Sequence, residues 1–232
     1  MILKYVKSSI KILLSKMYLV FGKLKYSDTA QKVFCIGMNK TGTTSIEHFL
    51  IELGYKMAPQ ILSEKFISDW YNRDFDNIIQ FAKKYNGFQD RPWNLPYIYV
   101  ILDHYFPNSK FILTIRDDSK EWFDSMVRFQ TKLLGKGRTP TPDDLKKHKY
   151  NYEGYIWDAQ QMVYHADIHG LYNEKVYCEI YERYNKDIVE YFISKKSQLL
   201  VINLKEENAS EKLHKFLGST KIEIKINHFN KS

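Results

Sequence analysis

With 232 residues, 44% of them hydrophobic and 27% charged, the chain has the composition of a folded globular protein. A net charge of +8 favours anionic partners such as membrane headgroups, acidic glycans or phosphorylated cofactors. The lysines are spread along the chain without an arginine-rich tract, which argues against a nucleic-acid-binding surface. The only two cysteines, Cys35 and Cys178, exclude a disulfide framework and a cysteine metal site, so we expect a reducing compartment such as the cytoplasm.

Residues 1–30 are predicted to form an amphipathic N-terminal helix ahead of a single domain at 31–232. Lysines lie on one side of this helix and apolar residues on another, and Lys16 interrupts the apolar stretch. No uninterrupted apolar stretch of this segment is therefore long enough to cross a bilayer, and the segment does not resemble a secretory signal. Two interpretations stay open: residues 1–25 contact an anionic membrane surface, or the helix packs on its own domain.

Apolar runs alternate with amphipathic segments through the rest of the chain. Buried strands are predicted at 33–36, 87–89, 111–115 and 199–202, and helices at 46–53, 64–86, 95–106, 118–133, 172–192 and 208–218. This alternation predicts an α/β domain with a mainly parallel central sheet flanked by helices. The glycines, prolines and aromatic residues of about 136–170 predict a loop-rich insertion.

The segment from Gly37 to Ser45 joins a predicted buried strand to a predicted helix. Such a turn directs backbone N–H groups and the positive end of the helix dipole toward one point. Gly42 allows an anion to approach the backbone closely, Lys40 adds a positive charge, and hydroxyl donors are supplied by Thr41, Thr43, Thr44 and Ser45. The loop predicts a phosphate or sulfate site, with a threonine-rich capped turn as the alternative.

The order of residues separates this loop from that of the nucleotide triphosphatases. Their loop ends in Gly-Lys-Ser/Thr, whose hydroxyl holds magnesium, whereas here Lys40 precedes Gly42. The order Lys-Thr-Gly-Thr-Thr-Ser at 40–45 instead resembles the 5'-phosphosulfate loop of sulfotransferases that use 3'-phosphoadenosine 5'-phosphosulfate (PAPS). Further similarity to a bacterial and fungal-type branch of that superfamily lies in 89–93, 106–122 and 199–218.

The resemblance covers about residues 31–230. It implies a P-loop-like three-layer fold with a central parallel sheet. It also implies transfer of a sulfuryl group from PAPS to a hydroxyl or amine, on a carbohydrate or a small molecule, with 3',5'-bisphosphoadenosine as the product. No metal is expected, and the charge on the leaving phosphate would be neutralised by Lys40 and the loop.

Members of this family hold the 3'-phosphate of PAPS with an arginine after a central strand and a serine on the next helix. Arg116 follows the strand predicted at 111–115 and can bind a phosphate bidentately. Ser125 lies nine residues after Arg116, one position beyond the family's spacing, at which Asp124 stands. Because a carboxylate would repel a phosphate, we assign the second contact to Ser125. The alternative for Arg116 is a salt bridge to a neighbouring aspartate.

Asp90 is the predicted general base, because it lies where relatives carry a catalytic histidine or carboxylate. Its alternative role is to cap a helix after Pro92. Weaker candidates for the base are His48, His104, His165 and His169. Two other classes of function remain open: a small-molecule kinase or other nucleotide phosphotransferase that needs magnesium and a nucleoside triphosphate, and a non-catalytic relative that binds the nucleotide without turnover.

Overall fold

The structure is a computed structural model, and it describes residues 31–134, 137–195 and 198–226. The predicted N-terminal helix at 1–30 lies outside the described residues. Within the described ranges, no helix is both long and apolar enough to cross a membrane.

Four parallel strands form the sheet, in the order β2-β1-β3-β4. They are β1 (Val33–Cys35), β2 (Gly87–Phe88), β3 (Lys110–Ile115) and β4 (Leu199–Asn203). Val33 pairs with Gly87 on one side and Lys110 on the other, and Phe111 pairs with Leu199. The four predicted strands and their parallel arrangement are confirmed.

Helices connect the strands, since parallel neighbours need a crossover. Between β1 and β2 lie α1 (Thr43–Glu52), α2 (Gln60–Ser63), a 3-10 turn (Glu64–Phe66), α3 (Ile67–Tyr71) and α4 (Asp76–Ala82). Between β2 and β3 lies α5 (Ile98–Tyr105). Between β3 and β4 lie α6 (Ser119–Leu134), α7 (Pro142–Lys147), α8 (Tyr155–Tyr164), α9 (Ala166–His169) and α10 (Glu174–Tyr191). Helix α11 (Ala209–Leu217) follows β4.

Two hydrophobic cores cover the two faces of the sheet, because successive strand residues point to opposite sides. Phe34 lies in the larger core and stacks on Phe88, with 4.3 Å between ring centroids. Its strand neighbours Val33 and Cys35 lie in the smaller core with residues of α1 and α11. The result is the predicted three-layer α/β arrangement, consistent with a P-loop-like fold.

The region predicted as a loop-rich insertion, about 136–170, is more helical than its composition suggested. It contains α7, α8 and α9, separated by turns. The prolines explain the difference: Pro142 occupies the first turn of α7, where a missing N–H costs nothing. Thr141 and Asp144 complete a capping box at the same helix end. A residue pattern that indicated a loop thus begins a helix.

Side chains cap α6 but not α11. At the start of α6, the Glu121 amide donates to Asp118 Oδ1 over 2.7 Å. The Glu121 carboxylate accepts from Arg116 Nη1 and, over 3.3 Å, from the Asp117 amide. No side-chain bond from Asn208 caps α11, and Gly218, at φ 68°, ends that helix in a left-handed conformation.

Gly37 brings the end of β1 directly against β3. A Cβ atom at this position would lie 2.0 Å from Thr114 Oγ1 and 2.5 Å from the Thr114 carbonyl oxygen. Only glycine permits so close an approach, since real Cβ contacts are never this short. The loop that follows β1 therefore starts beside the carboxyl end of β3, where Arg116 emerges.

Candidate functional site

Three chain segments meet at the carboxyl edge of the sheet. They are the loop 37–42 after β1, the turn 89–94 after β2, and Arg116 after β3. Two tyrosines of α10 hold this edge together: Tyr184 donates to the Ile36 carbonyl over 2.6 Å, and Tyr181 accepts from the Arg116 amide over 3.0 Å. Ligands of open parallel α/β sheets bind at this edge, which makes it the candidate site.

Gly42 forms the turn from loop to helix at the candidate anion site. It has φ 103° and precedes α1, and its carbonyl accepts from the amides of Ser45 and Ile46 over 2.9 and 3.2 Å. The amides of Thr43 and Thr44 come before the first intrahelical bonds, so helix geometry leaves them pointing out of the helix end. A Cβ on residue 42 would lie 2.5 Å from Leu204 Cδ1, so a larger residue would displace the loop.

The loop hydroxyls are not equivalent. The Thr41 hydroxyl donates to the Met38 carbonyl over 2.6 Å and accepts from Thr114 over 2.5 Å, so it faces the protein interior. Thr43 and Ser45 are also buried, whereas Thr44 is partly exposed. The predicted contact of Thr41 with an anion would therefore cost two interior bonds, and the exposed hydroxyl of the loop belongs to Thr44.

The surroundings of Lys40 disfavour the charged form of its side chain when no anion is bound. Its Nζ lies 4.0 Å from the ring centroid of Phe129, and its backbone is left-handed at φ 77°. Burial and the nearby Arg116 guanidinium lower the pKa of Lys40, and Lys132 and Arg128 act in the same direction. Asp90 opposes them only in part. A cluster of cations that repel each other is stabilised by a bound anion.

Arg116 directly contacts the loop 37–42, which we call the anion loop after its predicted ligand. Its Nε donates to the Lys40 carbonyl over 2.8 Å, and its Nη1 pairs with Glu121 Oε1 at 3.1 Å. The sequence offered a salt bridge to Asp117 or Asp118 as the alternative role, but the partner is Glu121, because Asp117 pairs with Lys205 at 2.6 Å. Arg116 thus lies beside Lys40 at one edge of the sheet, and two of its five N–H donors are bonded to groups of the described residues.

Ser125 lies on the face of α6 that packs against the anion loop. One helical turn before it, Trp122 Nε1 donates to the Asn39 carbonyl over 2.9 Å, and one turn after it lies Phe129, the ring beneath Lys40. Ser125 is 1% exposed, and among the described residues its hydroxyl has no hydrogen-bond partner. Asp124 points away and pairs with Lys120 at 2.5 Å. Of the two neighbours, Ser125 is therefore the one on the helix face that packs against the loop.

Asp90 is held in the turn after β2 by donors on three sides. Its Oδ1 accepts from the Asn39 side chain and, over 2.9 Å, from the Arg91 amide, and its Oδ2 accepts from Gln60 Nε2 over 3.0 Å. Asn39 belongs to the anion loop, so Asp90 is linked to that loop by one side chain. The helix-cap role is not its main one, since its carboxylate bonds one following amide, and α5 begins only at Ile98.

Unpartnered polar atoms concentrate around Asp90. Among the described residues, buried side-chain atoms lacking a hydrogen-bond partner include Gln89 Oε1, Arg91 Nε, Trp93 Nε1 and Asn94 Oδ1. Buried polar groups of native proteins are nearly always bonded to protein, water or a ligand. This group of atoms in one turn is typical of a site that binds a polar molecule.

The histidine candidates lie elsewhere or are exposed. His48 is exposed on α1, and His104 lies on α5, whose carboxyl end leads into β3 from the opposite edge of the sheet. His165 and His169 line a separate cavity of about 390 Å³ with Trp70 and Tyr97. None of the four is bonded to the anion loop by a contact within the part of the chain that the structure describes.

Sequence reasoning missed two residues of the site, Asn39 and Glu64. Asn39 binds Asp90 and also accepts from Asn94 Nδ2 over 3.1 Å. Glu64 is 3% exposed and shares Gln60 as a partner with Asp90. The available signal was a carboxylate next to the apolar Phe66 and Ile67 on a helical segment, with Gln60 four residues before it.

Residues 32–232 match the family model described as a sulfotransferase domain. The match contains the anion loop, Asp90, Arg116 and Ser125. No curated protein matches the chain. In residues 31–134, 137–195 and 198–226, no group of three or more histidine, cysteine, aspartate or glutamate side chains is arranged to hold a metal ion.

Proposed function

This chain belongs to the sulfotransferase family, and from that premise we propose that it transfers a sulfuryl group from PAPS to a hydroxyl or amine of a carbohydrate or small-molecule acceptor. The observation that carries the proposal is the bond between Arg116 Nε and the Lys40 carbonyl. It joins a cation at the end of β3 to the anion loop after β1, as a nucleotide with two separate anionic groups requires.

The 5'-phosphosulfate would be held by Lys40, by the amides of Thr43 and Thr44, and by the Thr44 hydroxyl. Gly42 supports this role, because its left-handed φ of 103° forms the turn that leaves the Thr43 and Thr44 amides at the helix end. The 3'-phosphate would be held by Arg116 and Ser125. The buried Ser125 hydroxyl supports this second contact, since it has no partner among the described residues.

PAPS supplies an activated sulfuryl group, and such transfers depend on positioning and charge stabilisation as phosphoryl transfers do. Lys40 stabilises negative charge on the leaving phosphate oxygen. Asp90 accepts the proton of the attacking hydroxyl or amine, because its carboxylate is fixed beside the anion loop through Asn39. The polar side chains gathered around the Asp90 carboxylate, Asn39 and Asn94 among them, support a polar acceptor.

We place the protein in the cytoplasm, because Cys35 and Cys178 are both free thiols. Peripheral membrane contact through residues 1–25 is part of this proposal. So is the absence of nucleic acid among the partners, which rests on the scattered lysines.

Arg116→Ala is expected to remove the preference for a 3'-phosphate. The wild-type protein should bind 3',5'-bisphosphoadenosine more tightly than 5'-AMP, and the variant should bind the bisphosphate about 10- to 100-fold more weakly, since hydrogen bonds to charged groups are lost. Binding of 5'-AMP should change much less. Calorimetric titration of both nucleotides against both proteins measures the difference.

Arg138→Ala is the matched control, because Arg138 is a half-exposed arginine whose partners, Thr139 and Asp144, belong to its own segment. It should bind both nucleotides as the wild type does. Equal losses of affinity for the two nucleotides in Arg116→Ala would reject the assignment of Arg116 to the 3'-phosphate.

A further inference from the structure

Two buried carboxyl groups share one donor next to the anion loop. Gln60 Nε2 donates to Glu64 Oε1 over 2.9 Å and to Asp90 Oδ2 over 3.0 Å. The distance between Glu64 Oε1 and Asp90 Oδ2 therefore cannot exceed the sum of these two hydrogen-bond lengths. Glu64 is 3% exposed and Asp90 is 8% exposed, so little water separates them. Two carboxylates this close in a buried place cannot both stay charged without a large cost.

Each segment packed around Glu64 contributes a charged or polar neighbour. The turn after β2 contributes Asp90 and Arg91, and the segment before α8 contributes the Tyr150 hydroxyl and, over 3.5 Å, Asn151 Nδ2. From α8, Tyr155 donates to the Glu64 main-chain carbonyl over 3.3 Å rather than to its carboxyl group. Burial, and next the Asp90 charge, raise the pKa of Glu64 to about 7, against the attraction of Arg91.

The donors are divided unequally between the two carboxyl groups. Asp90 accepts from the Asn39 side chain, the Arg91 amide and Gln60. Glu64 shares Gln60, lies against the Tyr150 hydroxyl and receives a contact of 3.5 Å from Asn151, so the bonds at Asp90 are the closer set. Donors to a carboxylate favour its charged form, and burial favours the neutral form, so Glu64, with the longer bonds and the deeper position, is the group that takes the proton.

We propose that Glu64 is a positioning residue for Asp90: the Gln60-bridged pair holds a single proton, which resides on Glu64, so that Asp90 remains the carboxylate that receives the acceptor's proton. The inference rests on the proposed function for the role of Asp90. Proton transfer to Asp90 leaves both carboxyl groups neutral, and loss of that proton to water restores the starting state.

The shared proton has a consequence for stability that does not involve catalysis. The folded-state pKa of Glu64 lies above its ordinary value of 4.5, so the folded protein binds an additional proton between about pH 4.5 and 7. The associated stability is present below that window and is lost as pH rises through it. The Glu64→Gln variant stays neutral at this position, so its free energy of unfolding does not fall in this way as pH rises.

The test compares wild type with Glu64→Gln between about pH 5 and 8.5. The difference in melting temperature, variant minus wild type, should increase as pH rises through the window. In parallel, the ratio of kcat/KM for PAPS, variant to wild type, should rise about three- to tenfold, because only the wild type gains a second negative charge beside the anion loop. A purely structural glutamate would leave both pH curves parallel, which would overturn the inference.

The two proposals fail in different ways. If neither protein binds 3',5'-bisphosphoadenosine while the melting difference still widens, the proposed function falls and the role of Glu64 in transfer falls with it, but the shared proton stands. If both bind and the curves are parallel, only the inference falls.

A second measurement applies if Glu64→Gln does not fold. Carbon-13 NMR titration of the Glu64 carboxyl in the wild-type protein should give a midpoint near neutral pH, and Asp90→Asn should lower that midpoint by about one pH unit or more, because the neighbouring charge is removed. An ordinary glutamate midpoint in the wild type would overturn the inference.

Discussion

Lys40→Ala is expected to lower kcat/KM for sulfuryl transfer about 100- to 1000-fold, the range found when a donor to a developing negative charge is removed. Arg116 does not replace this side chain, since the proposal assigns Arg116 to the 3'-phosphate and its Nε and Nη1 are bonded to the Lys40 carbonyl and Glu121. The measurement is the rate of 3',5'-bisphosphoadenosine release from PAPS with an acceptor that the wild type sulfates.

The same substitution should not destabilise the fold. Burial and repulsion from Arg116 lower the pKa of Lys40, so its charged form costs free energy in the folded protein at neutral pH. Removing the charge relieves that cost and loses one contact with the Phe129 ring. The melting temperature should therefore stay level or rise while turnover collapses, a combination expected of a residue selected for function.

Lys120→Ala is the control for Lys40, because Lys120 is an exposed lysine that forms surface pairs with Asp124 and Glu174. Its removal should leave turnover nearly unchanged, since exposed ion pairs contribute little. Loss of turnover in both variants to a similar extent would indicate a general effect of positive charge. The specific role of Lys40 would then be wrong.

Asp90→Asn is expected to lower kcat about 100- to 10,000-fold, as removal of a general base does. The geometry should largely survive, because an asparagine Oδ1 still accepts from Asn39 and Arg91, and Gln60 loses its bond to residue 90 but still donates to Glu64. Binding of 3',5'-bisphosphoadenosine should remain within a few-fold of wild type, since Asp90 contacts the acceptor in this account. Steady-state kinetics and a binding titration on the same preparation separate the two effects.

Asp124→Asn is the control for Asp90. Asp124 stands at the family's usual serine position but pairs with Lys120 on the outer side of α6. It should keep wild-type turnover and nucleotide binding. An Asp90→Asn enzyme with near wild-type kcat would exclude Asp90 as the base and direct attention to another proton acceptor.

The fold, and the proximity of the loop after β1 to Arg116, could be predicted because they depend on local sequence. Apolar runs ending at Gly37 and Arg116 mark two strands of a buried parallel sheet. Strand ends of a parallel sheet share one edge, so the loop after β1 and Arg116 after β3 had to meet. The bond from Arg116 Nε to the Lys40 carbonyl shows that they do.

What escaped prediction depends on the direction of side chains and on contacts between distant segments. Thr41 resembles the other loop threonines in sequence, but its hydroxyl turns inward to Met38 and Thr114. Glu64 becomes part of the site only because the 3-10 turn packs on residues 89–91, and no local pattern encodes that packing. The start of α7 was missed because Pro142 can end a loop or begin a helix.

The carboxyl edge of the sheet, in our proposal, binds a nucleotide with separate 5' and 3' anionic groups. Calorimetric titration of the wild-type protein with 3',5'-bisphosphoadenosine, without divalent metal, beside a titration with ATP and magnesium, tests this binding. We predict saturable binding of the bisphosphate and much weaker binding of ATP with magnesium. Tight binding of ATP with magnesium and none of the bisphosphate would contradict the account and favour a phosphotransferase.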